Sequence, residues 1–490
     1  MPLSDYEIVI GLEVHSELKT ESKVFCGCPT KFGAEPNTHV CPVCLGLPGV
    51  LPVLNEKAVE YTICAGLALH CDISSYSKFD RKQYFYPDLP KAYQISQYDD
   101  FPFCKNGWIE IEGDPEVAGG VRKIRINRVH LEEEAGKSVH SGTGILDSDY
   151  SMQDYNRCGI PLIEIVGEPD LRSPREAKTF LEKLKTLLLY TGISDCKMEE
   201  GSLRCDANIS LRPWGRKEYG IRAEIKNMNS FRAVEAALQY EAERQAKLLD
   251  KGEKMFDQTR TWDENKGVTV FMRSKEGASD YRYFPEPDLV PVITAEERVS
   301  QLRLRLPEMP EQRQKRYTEQ WGLPEYDAGL ICGSRELADF FETAVAGYGE
   351  AKTVSNWVMV ELLRLLNQER LEITEVKIRP EQLVKMLKMI DAGTINGKIA
   401  KIVFEEIFMT GKEPEQVVAE KGLVQISDTG ELENMARKVL DNNPQSTADY
   451  IAGKEQAFKF LVGQMMKETK GRANPALVNE LLKKELDKRK

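Results

Sequence analysis

The hydrophobic period changes once, near Tyr283–Pro291, and that change constrains the fold of this 490-residue chain more than any other feature. Before it, apolar residues alternate with polar ones in short runs such as Tyr6–Val14, Val121–Val129, Leu203–Leu211 and Ile221–Lys226, the spacing of strands. After it they recur every three or four residues, over Asn356–Asn367, Pro380–Ile390, Gly397–Phe408, Pro414–Lys421, Glu431–Leu440 and Glu455–Glu468, the spacing of helices. Two helices interrupt the first region. Ser173-Pro174-Arg175-Glu176 reads as a capping box with Pro in the first turn, opening an amphipathic run that stops before Gly192. Asn229 or Ser230 caps a second helix, Phe231 to Asp250, which Gly252 ends. The three prolines within Tyr283–Pro291 mark an exit from the first domain. The class is α+β: a large sheet domain over 1–293, an all-helical domain over 294–409 and a small helical tail over 410–490, with the last break placed at Gly411–Pro414.

Composition excludes several functions. Charged residues make up 30% and hydrophobic ones 41%, and no apolar stretch approaches the roughly 18 residues of a membrane span. The N-terminus carries Asp5, Glu7 and Glu13 where a signal peptide would carry positive charge, so a cytoplasmic protein with no membrane partner is expected. A net charge of -11 argues against a protein that simply coats nucleic acid, although local charge decides that question. Residues 451–490 hold ten Lys/Arg against five Asp/Glu, so the tail is locally basic. Composition by itself favours a solvated helical tail there.

Eleven cysteines in a long chain of this kind do not suggest a disulfide framework. Four of them cluster as Cys26-x-Cys28 and Cys41-Pro-Val-Cys44. Two close thiolate pairs on separate turns suit one tetrahedral zinc ion, and a four-sulfur set leaves no position open for catalysis. The expected zinc is structural.

A second signal is acidic. In Gly11-Leu-Glu-Val-His-Ser-Glu17 the strand period puts Glu13, His15 and Glu17 on one face. His130-Leu-Glu-Glu-Glu134-Ala-Gly-Lys137 places three acids directly after another strand. Asp206, Asn208 and Ser210 share a face, as do Arg222, Glu224 and Lys226. Each acid alone reads more readily as a solvent-facing strand position. Together, acids aimed from neighbouring strands need cations between them, and hard ions such as Mg(II) bind oxygen-rich sites that hold nucleotide phosphates. Familiar nucleotide loops are absent. Ala135-Gly-Lys-Ser138 has Leu131 where a P-loop needs its first glycine, and Ser141-Gly-Thr-Gly144 has Asp147 where a dinucleotide fingerprint needs its third. No nucleophile elbow is present either.

The longer motifs carry a resemblance. Ile10–Leu18, Lys78–Lys82 with Tyr86–Ser96, His130–Lys137, Asn156–Val166, Met198–Asn208, Asp280–Asp288, Gly422–Asp428, Phe460–Gln464 and Lys470–Pro475 are similar, in order and across essentially the whole chain, to the GatB family of bacterial aspartyl/glutamyl-tRNA amidotransferases. The resemblance implies a cradle domain with an antiparallel sheet related to glutamine synthetase, then a helical domain and a tail domain of YqeY type. It implies that ATP phosphorylates the side-chain carboxylate of Glu-tRNA(Gln) or Asp-tRNA(Asn), and that ammonia from a partner amidase displaces the phosphate. A third, small partner would complete the heterotrimer. His15, Glu132, Glu133 and Glu224 align with metal positions of the family, with Glu13 and Asp206 added, and Glu132, Glu133 and His15 are the expected catalytic set. Lys137, Arg204 and Lys226 are assigned to phosphate by charge and adjacency. The basic tail would then meet the tRNA backbone. Some family members lack the four cysteines, which keeps zinc out of the chemistry. Two other readings stay open: a carboxylate-amine ligase acting on a free amino acid, and a non-catalytic tRNA-binding scaffold.

Overall fold

The structure is a computed structural model and describes residues 5–98, 100–117, 119–142, 148–274, 281–423, 429–469 and 472–489. Gly144, Asp147, Asp280, most of the Gly422–Asp428 motif, Lys470, Gly471 and Lys490 lie outside the described residues. Contacts divide the chain into two compact units, Met1–Met309 and Pro310–Lys490.

The first unit runs β1 (Tyr6–Glu17), α1 (Glu56–Ala68), β2 (Asp72–Ile73), β3 (Tyr76–Ser77), β4 (Asp80–Gln83), β5 (Tyr93–Ser96), β6 (Cys104–Glu112), β7 (Val121–Glu133), β8 (Lys137–His140), β9 (Ser151–Asp154), β10 (Pro161–Gly167), α2 (Pro174–Thr191), β11 (Leu203–Pro213), β12 (Ala223–Lys226), α3 (Phe231–Asp250), β13 (Gln258–Asp263), β14 (Val268–Ser274), β15 (Phe284–Pro285), β16 (Val292–Ile293) and α4 (Glu296–Arg305). Nine strands form one sheet in the order β14-β13-β12-β11-β1-β10-β7-β6-β2. Its ladders are antiparallel except β12–β13, which is parallel.

One sheet face is apolar. Ile10, Leu12 and Val14 of β1, Val129 and Leu131 of β7, Ile163 and Ile165 of β10, and Cys205, Ala207 and Ile209 of β11 join the helical residues Phe180, Leu184, Val234 and Leu238 in one core. The alternating residues of those strands face the other way. A bulge matters here: the β7–β10 register slips between Val166 and Gly167, so Arg128 and Ile126 take consecutive partners. Ile124 and Ile126 before the bulge and Val129 and Leu131 after it all reach the core. The slip therefore sets which way His130 and Glu132 point.

Both helices start at the serines the sequence supplies. Ser173 accepts from the Glu176 N–H at 3.1 Å, and Ser230 from the Ala233 N–H at 3.1 Å. The box at Ser173 is one-sided, because the Glu176 carboxylate pairs with Arg122 and accepts from Arg172 N instead. Gly192 closes α2 at φ 70, which a side chain at that position would resist.

The second unit is helical and holds two cores. Phe341, Leu362, Leu383, Phe404 and Ile407 anchor the first, and Leu432, Leu440, Leu461, Met465 and Leu482 the second. Val417 and Val418 of the helix Pro414–Glu420 belong to the first core. The Gly411–Pro414 break is thus a turn between two helices of one core, with Gly411 at φ 73 ending Gly397–Thr410. The periodic run Asn356–Asn367 is the later part of a helix begun at Ala351 and includes a π-turn at Val358–Leu362. In the sheet unit, Leu302 of α4 packs into the sheet core, so that unit extends past residue 293 to Met309. No helix among the described residues is long and apolar enough to cross a membrane.

Candidate active site and metal centres

The face opposite the helices is polar because each strand alternates. Pairing aligns Arg204 of β11 with His15 of β1, His15 with Glu164 of β10, and Glu164 with His130 of β7. One step along β1, Glu13 stands opposite Asp206. Register brings Glu224 of β12 beside Asn208. Glu132 and Glu133 lie inside the strand rather than after it, since β7–β10 pairing continues to Glu133.

Two groups emerge. In the first, His15, Glu132 and Glu164 each offer one ligand atom, all within 4.8 Å of one another. His15 Nε2 lies 3.5 Å from Glu164 Oε2 and 3.9 Å from Glu132 Oε1. His130 Nε2 stands 3.2 Å from Glu164 Oε2, and Ser96 of β5 donates to Glu132 Oε2 at 2.9 Å. In the second, Lys226 ion-pairs with Asp206 and lies 3.2 Å from Glu224. Asn208 donates to Glu13 at 3.0 Å, and Thr259 to Glu224 at 3.0 Å.

The electrostatics are those of crowded anions. Burial, with Glu164, Glu224 and Asp206 beside it, pushes the Glu13 carboxyl up. Burial and Glu134 push Glu17 up to about 8 despite Arg157 and Arg204. Burial disfavours the imidazolium of His130, yet Glu164 and Glu132 hold its pKa at about 9. Burial likewise opposes the charge of Lys82 on β4, which Glu132, Tyr283 and Glu164 hold above its ordinary value. Among the buried atoms with no hydrogen-bond partner are His130 Nδ1, Asn208 Oδ1 and Arg204 Nε. Carboxylates and a histidine converging from neighbouring strands match the donor set of a hard divalent ion.

The structure does not bring every sequence candidate together. Glu133 points to the same side as Leu131, two residues earlier, and is separated from Glu132 by strand alternation. It accepts from Ile95 N at 2.8 Å and ion-pairs with Lys91 at 2.7 Å, so it leaves the metal set. Lys137 is exposed on the two-stranded ribbon β8–β9, outside the large sheet. Arg204 ion-pairs with Glu134. Sequence reasoning does not reach Glu164, His130 or Lys82. Glu164 carries one signal, as the single acid among Leu162, Ile163, Ile165 and Val166. His130 shares the parity of Glu132. Lys82 gives none, because its strand comes from a different sheet.

The cysteines converge. Cys26, Cys28, Cys41 and Cys44 place their sulfurs within 4.8 Å of one another. The Cys41 and Cys44 sulfurs are 3.9 Å apart, close to the ~3.8 Å that tetrahedral bonds of about 2.3 Å require. A hydrogen bond from Cys26 pulls the Cys44 thiol down to about 4 against its burial, helped by the Cys41 N–H and the Lys23 charge. The donor set fits zinc and is closed.

In the tail, Lys454, Lys484, Lys488 and Arg489 of the basic stretch pair with Asp449, Glu433, Glu485 and Asp441, three of them acids that precede residue 451.

Comparison with known proteins gives the family. Residues 8–300 match the family model of the GatB/GatE catalytic domain, and residues 339–486 that of the GatB domain. The corresponding aspartyl/glutamyl-tRNA(Asn/Gln) amidotransferase subunit of Carboxydothermus hydrogenoformans is 60% identical over 486 residues, covering 99% of this chain and 100% of that protein. Its counterpart in Caldanaerobacter subterraneus is 59% identical and that in Brevibacillus brevis 55% identical, each over 99% of this chain and 100% of the relative. The chain belongs to the GatB family of aspartyl/glutamyl-tRNA(Asn/Gln) amidotransferases.

Proposed function

We propose that this chain activates the side-chain carboxylate of Glu-tRNA(Gln) or Asp-tRNA(Asn) with ATP and presents it to ammonia, within a cytoplasmic heterotrimer that it forms with an amidase and a third, small protein. The observation that carries the reading is the pair of acid groups on one sheet face, in a chain 60% identical end to end to a named amidotransferase subunit. Ammonia cannot displace oxide from a carboxylate, so the oxygen must first become a phosphate. That transfer chiefly requires aligned reactants and neutralised charge.

His15, Glu132 and Glu164 would hold one magnesium ion, with Glu13, Asp206 and Glu224 available to a second. Bound there, magnesium supplies charge neutralisation to the phosphates. Lys226 stands between Asp206 and Glu224 and can turn to a phosphate once a cation replaces it. Arg204 and Lys82 flank the first group, and Ser96 and His130 orient Glu132 and Glu164. Lys137, on its exposed ribbon, is left to the incoming tRNA end. The nine-stranded sheet would be the cradle of glutamine-synthetase type, and the four cysteines a structural zinc site outside the chemistry. The helical unit and its tail would carry the tRNA, through Lys459, Lys467 and Lys483 rather than through the paired cations.

The test is ATP hydrolysis and amide formation by the heterotrimer, with and without Glu-tRNA(Gln). Hydrolysis and conversion that both depend on the charged tRNA support the reading. Hydrolysis indifferent to tRNA, with free glutamate amidated, moves the protein to the free amino-acid ligase class.

A further inference from the structure

Lys23 is fully buried, yet among the described residues no carboxylate lies within ion-pairing distance of it. Its ammonium donates to His39 O at 2.8 Å, to Tyr155 O at 3.3 Å and to the Cys44 sulfur at 3.6 Å. A buried ammonium is costly unless it meets a negative partner, and among the described residues the one side chain it meets that can carry negative charge is Cys44 of the four-cysteine cluster, a thiolate once zinc is bound. A zinc ion with four thiolates carries a net double negative charge, so such a centre needs a cation nearby as much as the lysine needs an anion.

The same lysine bridges two segments. His39 lies on the cysteine knuckle, and Tyr155 on the β9–β10 connection. Other bonds run alongside: Tyr155 N donates to Asn37 Oδ1 at 2.8 Å, His39 N to Asn156 Oδ1 at 2.7 Å, and the Cys158 thiol to Cys44 O at 3.4 Å. That connection in turn grips the end of β7. Gly159 N donates to Glu134 O at 2.8 Å, Glu134 N to Ile160 O at 2.9 Å, and Arg157 to Gly136 O at 2.8 Å.

We infer that Lys23 is the internal counter-charge of the zinc–thiolate centre and that it couples metal occupancy to the order of residues 153–160, which brace the acidic end of β7. Lys23 is a positioning residue in this role: it touches neither substrate nor the acid face. The inference rests on the zinc reading of the four cysteines.

The experiment compares the full-length wild type with Lys23→Met, Lys23→Gln and Lys23→Arg, using zinc as the probe. Zinc content after dialysis and the rate of zinc transfer to a chromogenic chelator are read together with backbone hydrogen exchange over 153–160. Loss of the charge is expected to speed zinc release about ten- to hundredfold and to raise exchange in that segment, with Arg recovering most of both. Gln keeps a donor for the two carbonyls, so it provides the test if Met prevents folding. Lys23→Gln that releases zinc at the wild-type rate overturns the counter-charge role. Wild type that contains no zinc overturns the zinc reading and the inference with it.

Discussion

The cysteine knuckle and the acid face are both sets of metal-type donors, but they are built in opposite ways. The knuckle draws four identical ligands from one short stretch, Cys26 to Cys44, and its donors close on one another. The acid face draws its first group from three strands, β1, β7 and β10, brought together only by pairing. The first arrangement is a closed set of four sulfurs that would saturate one ion. The second gathers only three donors, one from each strand, and would leave coordination positions for a ligand. Local assembly thus goes with a closed donor set, and long-range assembly with an open one.

The sharpest way to break that contrast is to neutralise the open site alone. Glu132→Gln or His15→Ala should lower tRNA-dependent ATP hydrolysis and amidation by the heterotrimer at least about 10³-fold, while zinc content and melting temperature stay near wild type. A variant that keeps full turnover removes the acid face from the chemistry. The reciprocal experiment replaces Cys41 and Cys44 by Ser together. Zinc should be lost and the melting temperature should fall by several degrees, with residual turnover falling far less than in Glu132→Gln. Equal losses of turnover would erase the distinction between the two sites.

A third variant sharpens the strand-alternation argument. Glu133→Gln strands the half-buried Lys91 ammonium and should destabilise the fold by about 3 kcal/mol in denaturant unfolding. Manganese binding at the acid face should stay within about twofold, although Glu133 is the next residue after Glu132. The smallest effect lies in the helical unit. Gly411→Ala forces a side chain into φ 73 against Lys377 and should cost about 1 kcal/mol there, leaving ATP hydrolysis unchanged.

The same contrast explains what the sequence disclosed. The four cysteines, the serine caps of α2 and α3, and the strand-to-helix change are local patterns, and each is readable from spacing. His15, Glu13 and Asp206 are legible as face-sharing residues because parity within one strand is also local. Which strands adjoin is not local. Glu164 escapes a sequence reading because its importance comes from lying between His15 and His130 across two ladders. Glu133 groups with Glu132 in the sequence because a run of acids carries no mark of strand alternation until the strand is known to continue through it. The helix Pro414–Glu420 shows the same limit: the Gly and Pro before it mark a turn, but only Val417 and Val418 in the core tell which bundle it joins.

The central claim is that an open divalent site forms where β1, β7 and β10 align, and Glu164 tests it best because its role comes from pairing across strands. Manganese binding by Glu164→Gln in the assembled heterotrimer, followed by electron paramagnetic resonance, is the direct measurement. The account predicts loss of the manganese bound with ATP while the zinc of the knuckle remains at one per chain. Manganese binding equal to wild type would contradict it.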